Sequence, residues 1–215
     1  MKVTITRLYD DYAAARGAVT DLEAADLPTT DISLIASNAT DWYGSKPKVT
    51  KHDRDGNGTD DRVESAEMGA GIGAVLAGGA GLLAGLGVMA IPGLGPVVAV
   101  GWLVSTSLGA VAGAAAGAAA GGIVGTLTQA GVSEDEAAVY VEGVRRGGTL
   151  LSARVPEGHR TRYEAILDRS AVDIGDRREA YRKGGWSGYD PEAGPLTADQ
   201  IRRKFDASVS MGRLP

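Results

Sequence analysis

The chain has 215 residues, a formal net charge of −5 and a pI of about 5.1, and it contains no cysteine. The lack of cysteine excludes disulfides and thiolate metal sites. The acidic balance, with no basic face interleaved with aromatic residues, argues against nucleic acid as a partner. Mean hydropathy is −0.05, yet every charged residue lies outside residues 68–133. We therefore expect two polar flanks around one uncharged segment.

The N-terminal flank predicts a βαβ unit. Val3–Leu8 alternates as a strand does, and Asp10 or Asp11 can cap a helix that runs to about Ala24. Asp31–Ala36 predicts a second strand, which would run parallel to the first. No apolar signal sequence develops before the first aspartates, so we expect the polar flanks to be cytosolic.

Residues 37–66 form an acidic polar linker that contains a twelve-residue match to an EF-hand calcium loop. The candidate ligands are Asp53, Asp55, Asn57, Thr59 (through its backbone carbonyl), Asp61 and Glu64. Calcium is the one cofactor that the sequence suggests, as a latch at the mouth of the segment that follows. The alternative is a solvated acidic linker that caps the next helix, because no helix is expected before the loop.

Residues 67–132 predict an apolar helical hairpin, with helices over Met68–Ile91 and Val97–Ala130 and a turn at 92–96. Glycines four residues apart lie on one face of a helix, and such stripes allow helices to pack closely in lipid. The candidate helix-packing residues are Gly69, Gly73, Gly81, Gly85, Gly101, Gly109, Gly113, Gly117, Gly121 and Gly125.

The first apolar helix would be about 36 Å long, slightly more than the ~30 Å thickness of a hydrocarbon layer. A hairpin of this kind would place both polar flanks on the same side of a bilayer. Because alanine and glycine are weaker membrane signals than leucine, a soluble assembly with buried hairpins is the alternative.

The C-terminal flank begins with a capping box formed by Ser133 and Glu136. The helix that it opens should end at Gly147, and Thr149–Val155 predicts a third strand. We expect this half of the flank to pair with the N-terminal βαβ unit.

The remainder of the flank predicts a helix over residues 158–168, a short fourth strand over Ala171–Ile174 and a charged helical turn over Asp176–Lys183. Thr197 and Gln200 form a second capping box. We expect the helix after this box to dock through a narrow apolar stripe.

The predicted fold class is α+β. A small ferredoxin-like domain with a βαβ/αβαβ pattern would comprise residues 1–36 and 133–175. It would be interrupted by the linker 37–66 and the hairpin 67–132, and residues 176–215 would form a docking tail with a short helix.

Enzyme signatures are weak throughout the chain. Gly69–Ala74 fits a dinucleotide fingerprint superficially, but a charged stretch rather than a strand precedes it. His52 and His159 have no metal-ligand spacing, and Ser187 has only one of the two glycines of a nucleophile elbow, because Tyr189 stands in the place of the second. We therefore expect a protein that is not an enzyme and has no small-molecule substrate.

Several segments, taken in order, resemble bacterial general stress proteins that combine a YflT-like N-terminal module with a glycine-zipper region. The segments that carry the likeness are Val3–Leu8, Asp10–Tyr12, Asp31–Ile35, Ala90–Pro96, Tyr140–Leu150, Ala171–Ile174 and Gly185–Asp190. The resemblance implies a stress-associated, non-enzymatic bacterial protein, with no catalytic residues to transfer.

Two functions remain open at this point. The first is a scaffold in the bacterial inner membrane, with both flanks cytoplasmic, whose hairpin enters the bilayer and self-associates. The second is a cytoplasmic homo-oligomer that buries its hairpins in a shared apolar layer or shell. The expected partners are further copies of the chain and membrane lipid.

Overall fold

The structure is a computed structural model that describes residues 1–43, 86–91, 94–103, 118–190 and 193–203. Most of the predicted acidic linker, the first predicted apolar helix up to residue 85 and residues 104–117 lie outside these ranges. The fold below is that of the described residues.

Five strands form one antiparallel sheet in the order β1-β5-β2-β4-β3. The strands are β1 (Lys2–Tyr9), β2 (Ile32–Ser37), β3 (Gly87–Ile91), β4 (Gly95–Gly101) and β5 (Thr149–Pro156). Because β5 pairs antiparallel with both β1 and β2, those two strands run parallel to each other without touching. The predicted α+β class and the three strands predicted in the polar flanks are confirmed.

Helices pack on both faces of this sheet. They are α1 (Tyr12–Ala24), α2 (Ala118–Gln129), α3 (Glu134–Arg145), α4 (Arg160–Leu167) and α5 (Ile174–Lys183), with a further helical stretch at residues 198–203. One apolar cluster lies between the sheet and helices α1 and α4. A second lies on the opposite face, against α2 and α3.

The helix starts are set by local caps. Asp11 accepts a hydrogen bond from the backbone N–H of Ala14 at 2.8 Å, which confirms the predicted start of α1. At the C-terminal box, the backbone N–H of Thr197 donates to Gln200 Oε1 at 2.9 Å. The backbone N–H of Gln200 donates back to Thr197 Oγ1 at 3.3 Å, so this box is reciprocal as predicted.

The fourth strand predicted at Ala171–Ile174 is wrong. Asp173 instead caps α5, because its Oδ1 accepts a hydrogen bond from the backbone N–H of Asp176 at 2.9 Å. A single backbone hydrogen bond, from Val172 N to the Leu8 carbonyl at 2.8 Å, links this segment to β1. Because Asp173 caps α5, the chain is helical from Ile174 onward rather than extended alongside β1.

The predicted apolar helical hairpin is also wrong over residues 87–91 and 95–101, which are strands rather than helices. The turn falls at the predicted place, but it joins the strands β3 and β4, with Val88 opposite Val98. Valine is β-branched and fits a strand, and β2 supplies a pairing partner for β4. Residues 118–129 are helical, as predicted. Within the described ranges, no helix has the length and apolar character needed to cross a membrane.

β4 is built into the core on both of its faces. Val100 belongs to the apolar cluster under α1 and α4, whereas Val97 and Ala99 belong to the cluster under α2 and α3. This division follows the two-residue period of a strand. Part of the uncharged segment is therefore a structural element of the domain.

Candidate functional site

The predicted calcium ligands lie outside the described residues, so the calcium site stays a prediction. These ligands are Asp53, Asp55, Asn57, Thr59, Asp61 and Glu64. In the part of the chain that the structure does describe, no group of three or more acidic or histidine side chains is placed to hold a metal ion.

Most of the predicted helix-packing glycines also lie outside the described ranges, namely Gly69, Gly73, Gly81, Gly85, Gly109, Gly113 and Gly117. Gly121 and Gly125 lie in α2. A Cβ atom placed on Gly125 would meet no atom within 4 Å. This position of α2 is therefore open to a neighbour from outside the described fold.

Gly101 is predicted to pack one helix against another. In the structure it ends strand β4 and lies close to the backbone of β2 instead. Its φ is +98°, and an added Cβ would lie 2.2 Å from the carbonyl oxygen of Ile32 and 2.7 Å from the Cα of Ser33. Only glycine fits a left-handed backbone pressed against another strand. Gly101 lets β4 turn away from β2 rather than packing two helices together.

Among the helix glycines for which the structure gives contacts, the closest approach to a neighbouring element is at Gly143, which lies outside the predicted rows. An added Cβ on Gly143 in α3 would lie 2.5 and 2.8 Å from the two terminal methyl carbons of Leu8. Gly143 is surrounded in sequence by buried residues from Ala137 to Val144. A glycine within the apolar face of an amphipathic helix was the available sequence signal for this contact.

Residues 44–85, which comprise most of the polar linker and the first part of the uncharged segment, leave and re-enter the described fold at one place. The Tyr43 hydroxyl donates a hydrogen bond to the Leu86 carbonyl at 3.3 Å, so residues 44–85 begin and end side by side. Gly87, which follows Leu86, lies opposite Ala99 near the end of β4. The segment after Leu103 therefore departs from the same end of the β3–β4 hairpin.

An ion cluster secures the end of β4. The buried carboxylate of Asp31 lies 2.5 Å from Lys2 Nζ and 3.2 Å from Arg154 Nε. The Arg154 guanidinium also lies 4.9 Å from the centre of the Trp102 ring, within the range of a cation–π contact. These contacts anchor the last described residues of the hairpin.

A second ion cluster, which we call the Glu142 cluster, consists of Glu142, Arg145, Arg146 and Tyr181. Glu142 lies 2.6 Å from Arg146 Nε and 3.3 Å from Arg145 Nη1. The Arg146 guanidinium lies 4.2 Å from the centre of the Tyr181 ring. Burial raises the pKa of Tyr181 to about 12, although Arg177 and Arg146 oppose the shift.

The Glu142 cluster borders a cavity of about 210 Å³ that is also lined by the loop containing Trp186 and Tyr189. Arg145 Nη2 donates to the Gly194 carbonyl at 2.7 Å. The charged groups of the cluster thus bind one another and the tail, which favours a role in fastening the C-terminal segment to α3.

A polar cleft of about 560 Å³ lies beside β1 and α3. Within it, Arg7 Nε lies 2.5 Å from Asp168 Oδ1. The Tyr140 hydroxyl donates to the Thr6 carbonyl at 3.0 Å, and burial raises the pKa of Tyr140. These partnerships join β1 to the helices around it and leave the tyrosine protonated at neutral pH.

Comparison of the chain with protein-family models, with curated proteins and with solved structures found no match. The resemblance to bacterial general stress proteins therefore stays a prediction.

Proposed function

We propose that the protein is a non-enzymatic, self-associating structural protein in which the glycine-rich apolar segments of neighbouring copies bury one another. The observation that carries this proposal is the Tyr43–Leu86 contact, which holds both ends of residues 44–85 at one place on the domain. Residues 44–85 comprise most of the charged linker and the first part of the uncharged segment, so the uncharged residues 68–85 join the domain beside the point where the linker begins.

Chain length supports self-association over membrane crossing. Residues 104–117 are fourteen positions that start after the buried Leu103 and end at α2, so both ends belong to the same folded domain. A helix needs about 20 residues to cross hydrocarbon once, and this segment would have to go out and return. Burial of this segment against an apolar surface of another copy does not require the segment to have that length.

The glycine face of α2 supplies a surface for that contact. Gly125 has open space where a side chain would stand, whereas Ile123 and Leu127 of the same helix are buried in the core. The helix is thus held by one side, while none of the described residues occupies the space at its glycine position. Small residues at such a position allow a second helix to approach closely.

The mass of the purified full chain, measured by light scattering after size exclusion, tests this proposal. We expect a particle of several copies that persists without detergent. Gly125→Leu should shift the particle toward monomer, whereas Gly125→Ala, which adds one methyl group, should leave most of the assembly in place. A wild-type chain that is monomeric at every concentration, or a Gly125→Leu particle of unchanged mass, would contradict the proposal.

A membrane-associated scaffold is the second candidate, favoured by the absence of any charged residue from Met68 to Ser133. In this case the chain should float with liposomes and resist carbonate extraction. Flotation that needs residues 68–85 but not assembly would favour this candidate. Recovery of all the protein in the soluble fraction would remove it.

Two further assignments accompany the proposal. The placement of β5 between the parallel strands β1 and β2 supports a ferredoxin-like origin for the split domain, because a split βαβ unit is part of that architecture. The ordered likeness to general stress proteins supports a role under stress. Comparison of growth with and without the gene under acid, salt and heat stress tests that role.

A further inference from the structure

A pocket of about 300 Å³ lies at the end of the sheet where β1 and β2 finish and β5 begins. We call it the end pocket. The residues of its lining that the argument uses are Asp10, Tyr12, Ser37, Trp42, Thr149 and Ile201. Its volume is at the lower limit of ordinary small-molecule sites, which run from about 300 to 1,000 Å³.

Two aromatic rings form one wall of the end pocket. The ring centres of Tyr12 and Trp42 are 4.5 Å apart with the planes inclined at 40°. Trp42 Nε1 donates to the Ser37 carbonyl at 2.6 Å, which fixes the orientation of the indole. Trp42 is nevertheless 42% exposed. A large aromatic ring that is held in place yet partly uncovered is pre-organised for stacking.

One residue of the pocket lining, Thr149, carries a buried hydroxyl group with no bonding partner in the described part of the chain. Thr149 is 1% exposed, and its Oγ1 has no hydrogen-bond partner among the described residues. Thr149 opens β5 opposite Tyr9 and Ala36, so its position is set by two strands. Burial of an unbonded hydroxyl normally destabilises a protein, and a bound molecule can supply the missing hydrogen bond.

The charged groups around the end pocket already have partners. Asp10 Oδ1 lies 2.7 Å from Arg177 Nη2. Asp11 caps α1, and Arg202 pairs with Asp199 on the helical stretch at 198–203. A ligand therefore needs no net charge to be accommodated.

The tail supplies the wall opposite the sheet. Ile201 is 5% exposed, and an added Cβ on Gly147 would lie 2.8 Å from its Cγ2. Gly147 has a φ of +103°, so this close seat depends on glycine. Ile201 of the tail helix therefore packs closely against the pocket lining at Gly147.

From these observations we infer that the end pocket binds an uncharged, planar heterocyclic molecule. The ligand stacks on Trp42, and a ring heteroatom exchanges a hydrogen bond with the Thr149 hydroxyl. This site is independent of self-association, because its lining comes from the start of α1, from β2 and β5 and from the tail rather than from α2.

The test uses the purified full chain with indole, quinoline and benzimidazole as probes, followed by ligand-observed NMR and tryptophan fluorescence. We expect saturable binding of at least one probe. Thr149→Val keeps the side-chain shape and should weaken that binding about fivefold, the equivalent of one lost hydrogen bond of about 1 kcal/mol. Trp42→Ala should weaken it by up to about tenfold through lost stacking.

Two controls separate binding from folding. Thr149→Val should leave the urea midpoint unchanged or raised, because it removes an unbonded buried hydroxyl. Trp186→Phe, at a tryptophan that lines the 210 Å³ cavity instead, should leave the affinity unchanged. The inference is overturned if no probe binds saturably at millimolar concentration, or if Thr149→Val, folded by its urea midpoint, binds as tightly as the wild-type chain.

Discussion

The sheet has two lateral parts, with β1, β5 and β2 on one side and β4 and β3 on the other, and these two sides are stabilised in different ways. On the side formed by β1, β5 and β2, buried tyrosine hydroxyls bridge separate elements, with Tyr9 donating to the Leu167 carbonyl at 2.8 Å and Tyr163 to the Ala25 carbonyl at 3.2 Å. On the side formed by β4 and β3, no charged residue occurs, and the strands are held by their backbone ladder and by aliphatic packing.

This difference indicates where each region is vulnerable. The first side depends on polar groups whose partners come from distant parts of the chain, so the loss of one partner leaves another group buried and unbonded. The second side depends on the distance between backbones, so an added atom is more damaging than a lost one. The predictions below test both expectations.

The largest expected effect is at Glu142, the only acidic member of the Glu142 cluster. Glu142→Ala should lower the free energy of unfolding by about 3–5 kcal/mol, because it leaves the buried Arg146 without its ion-pair partner. Urea unfolding followed by circular dichroism measures the change. Glu164→Ala is the matched control, since the Arg160–Glu164 pair also spans four residues but is more exposed, and it should cost less than about 1 kcal/mol.

At Gly101, an added methyl group should be nearly as damaging. Gly101→Ala should cost about 3 kcal/mol, because alanine is strained at φ +98° and its Cβ would press on the Ile32 carbonyl. Gly87→Ala, in the other strand of the same hairpin, has open space at its Cβ position. Equal costs at the two glycines, measured by thermal and urea unfolding, would show that backbone proximity does not limit this side of the sheet.

Alkaline pH should destabilise the first side. The pKa of Tyr181 is raised by burial to about 12, from an ordinary value of 10.0, so the folded state favours the protonated phenol. The stability that this provides is complete below pH 10 and is lost as pH rises from 10 through 12, by about 2–3 kcal/mol. Burial also raises the pKa of Tyr9 and Tyr140, in the same direction.

Urea midpoints measured across this pH interval test the effect. Tyr181→Phe should flatten the dependence of stability on pH, because phenylalanine does not titrate. A variant that loses stability with pH as steeply as the wild-type chain would assign the effect to the other tyrosines.

The smallest expected effect compares two helix glycines. Gly125→Ala should raise the free energy of unfolding by about 0.5–1 kcal/mol, because alanine is the better helix former and the site is open. Gly143→Ala should lower it instead, because the added carbon would lie 2.5 Å from a Leu8 methyl carbon. Thermal unfolding of both variants gives the signs, and a shared sign would show that packing does not distinguish the two sites.

Sequence patterns located most elements of the polar flanks to within a few residues, the strand predicted at Ala171–Ile174 being the exception. Asp11, Ser133 and Thr197 stand where helices begin, because a cap is a hydrogen bond within three residues and needs no tertiary contact. The alternation of β1 and the β-branched residues of β5 likewise predicted strands. For the candidate sites, sequence reasoning named Gly125 as a helix-packing residue, which stays a prediction. It missed Gly143, and it assigned Thr149 only to a strand.

The uncharged segment could not be predicted in the same way. Its residues are apolar or small at nearly every position, so neither a two-residue nor a 3.6-residue period stands out, and an apolar run of this kind fits a buried strand or a helix. Val97–Val100 form a strand because they pair with the edge of β2 and bury their side chains in the two apolar clusters, one on each face of the sheet. That choice is a tertiary one.

The sequence by itself determined where the helices of the flanks begin and which part of the chain carries no charge, since both are local properties of neighbouring residues. Only the tertiary structure decided that β5 lies between β1 and β2, that the apolar turn joins strands, and that Trp42, Thr149 and Ile201 meet in one pocket. Each of these depends on contacts between residues far apart in the chain, whose pairing is selected by the burial of both partners together.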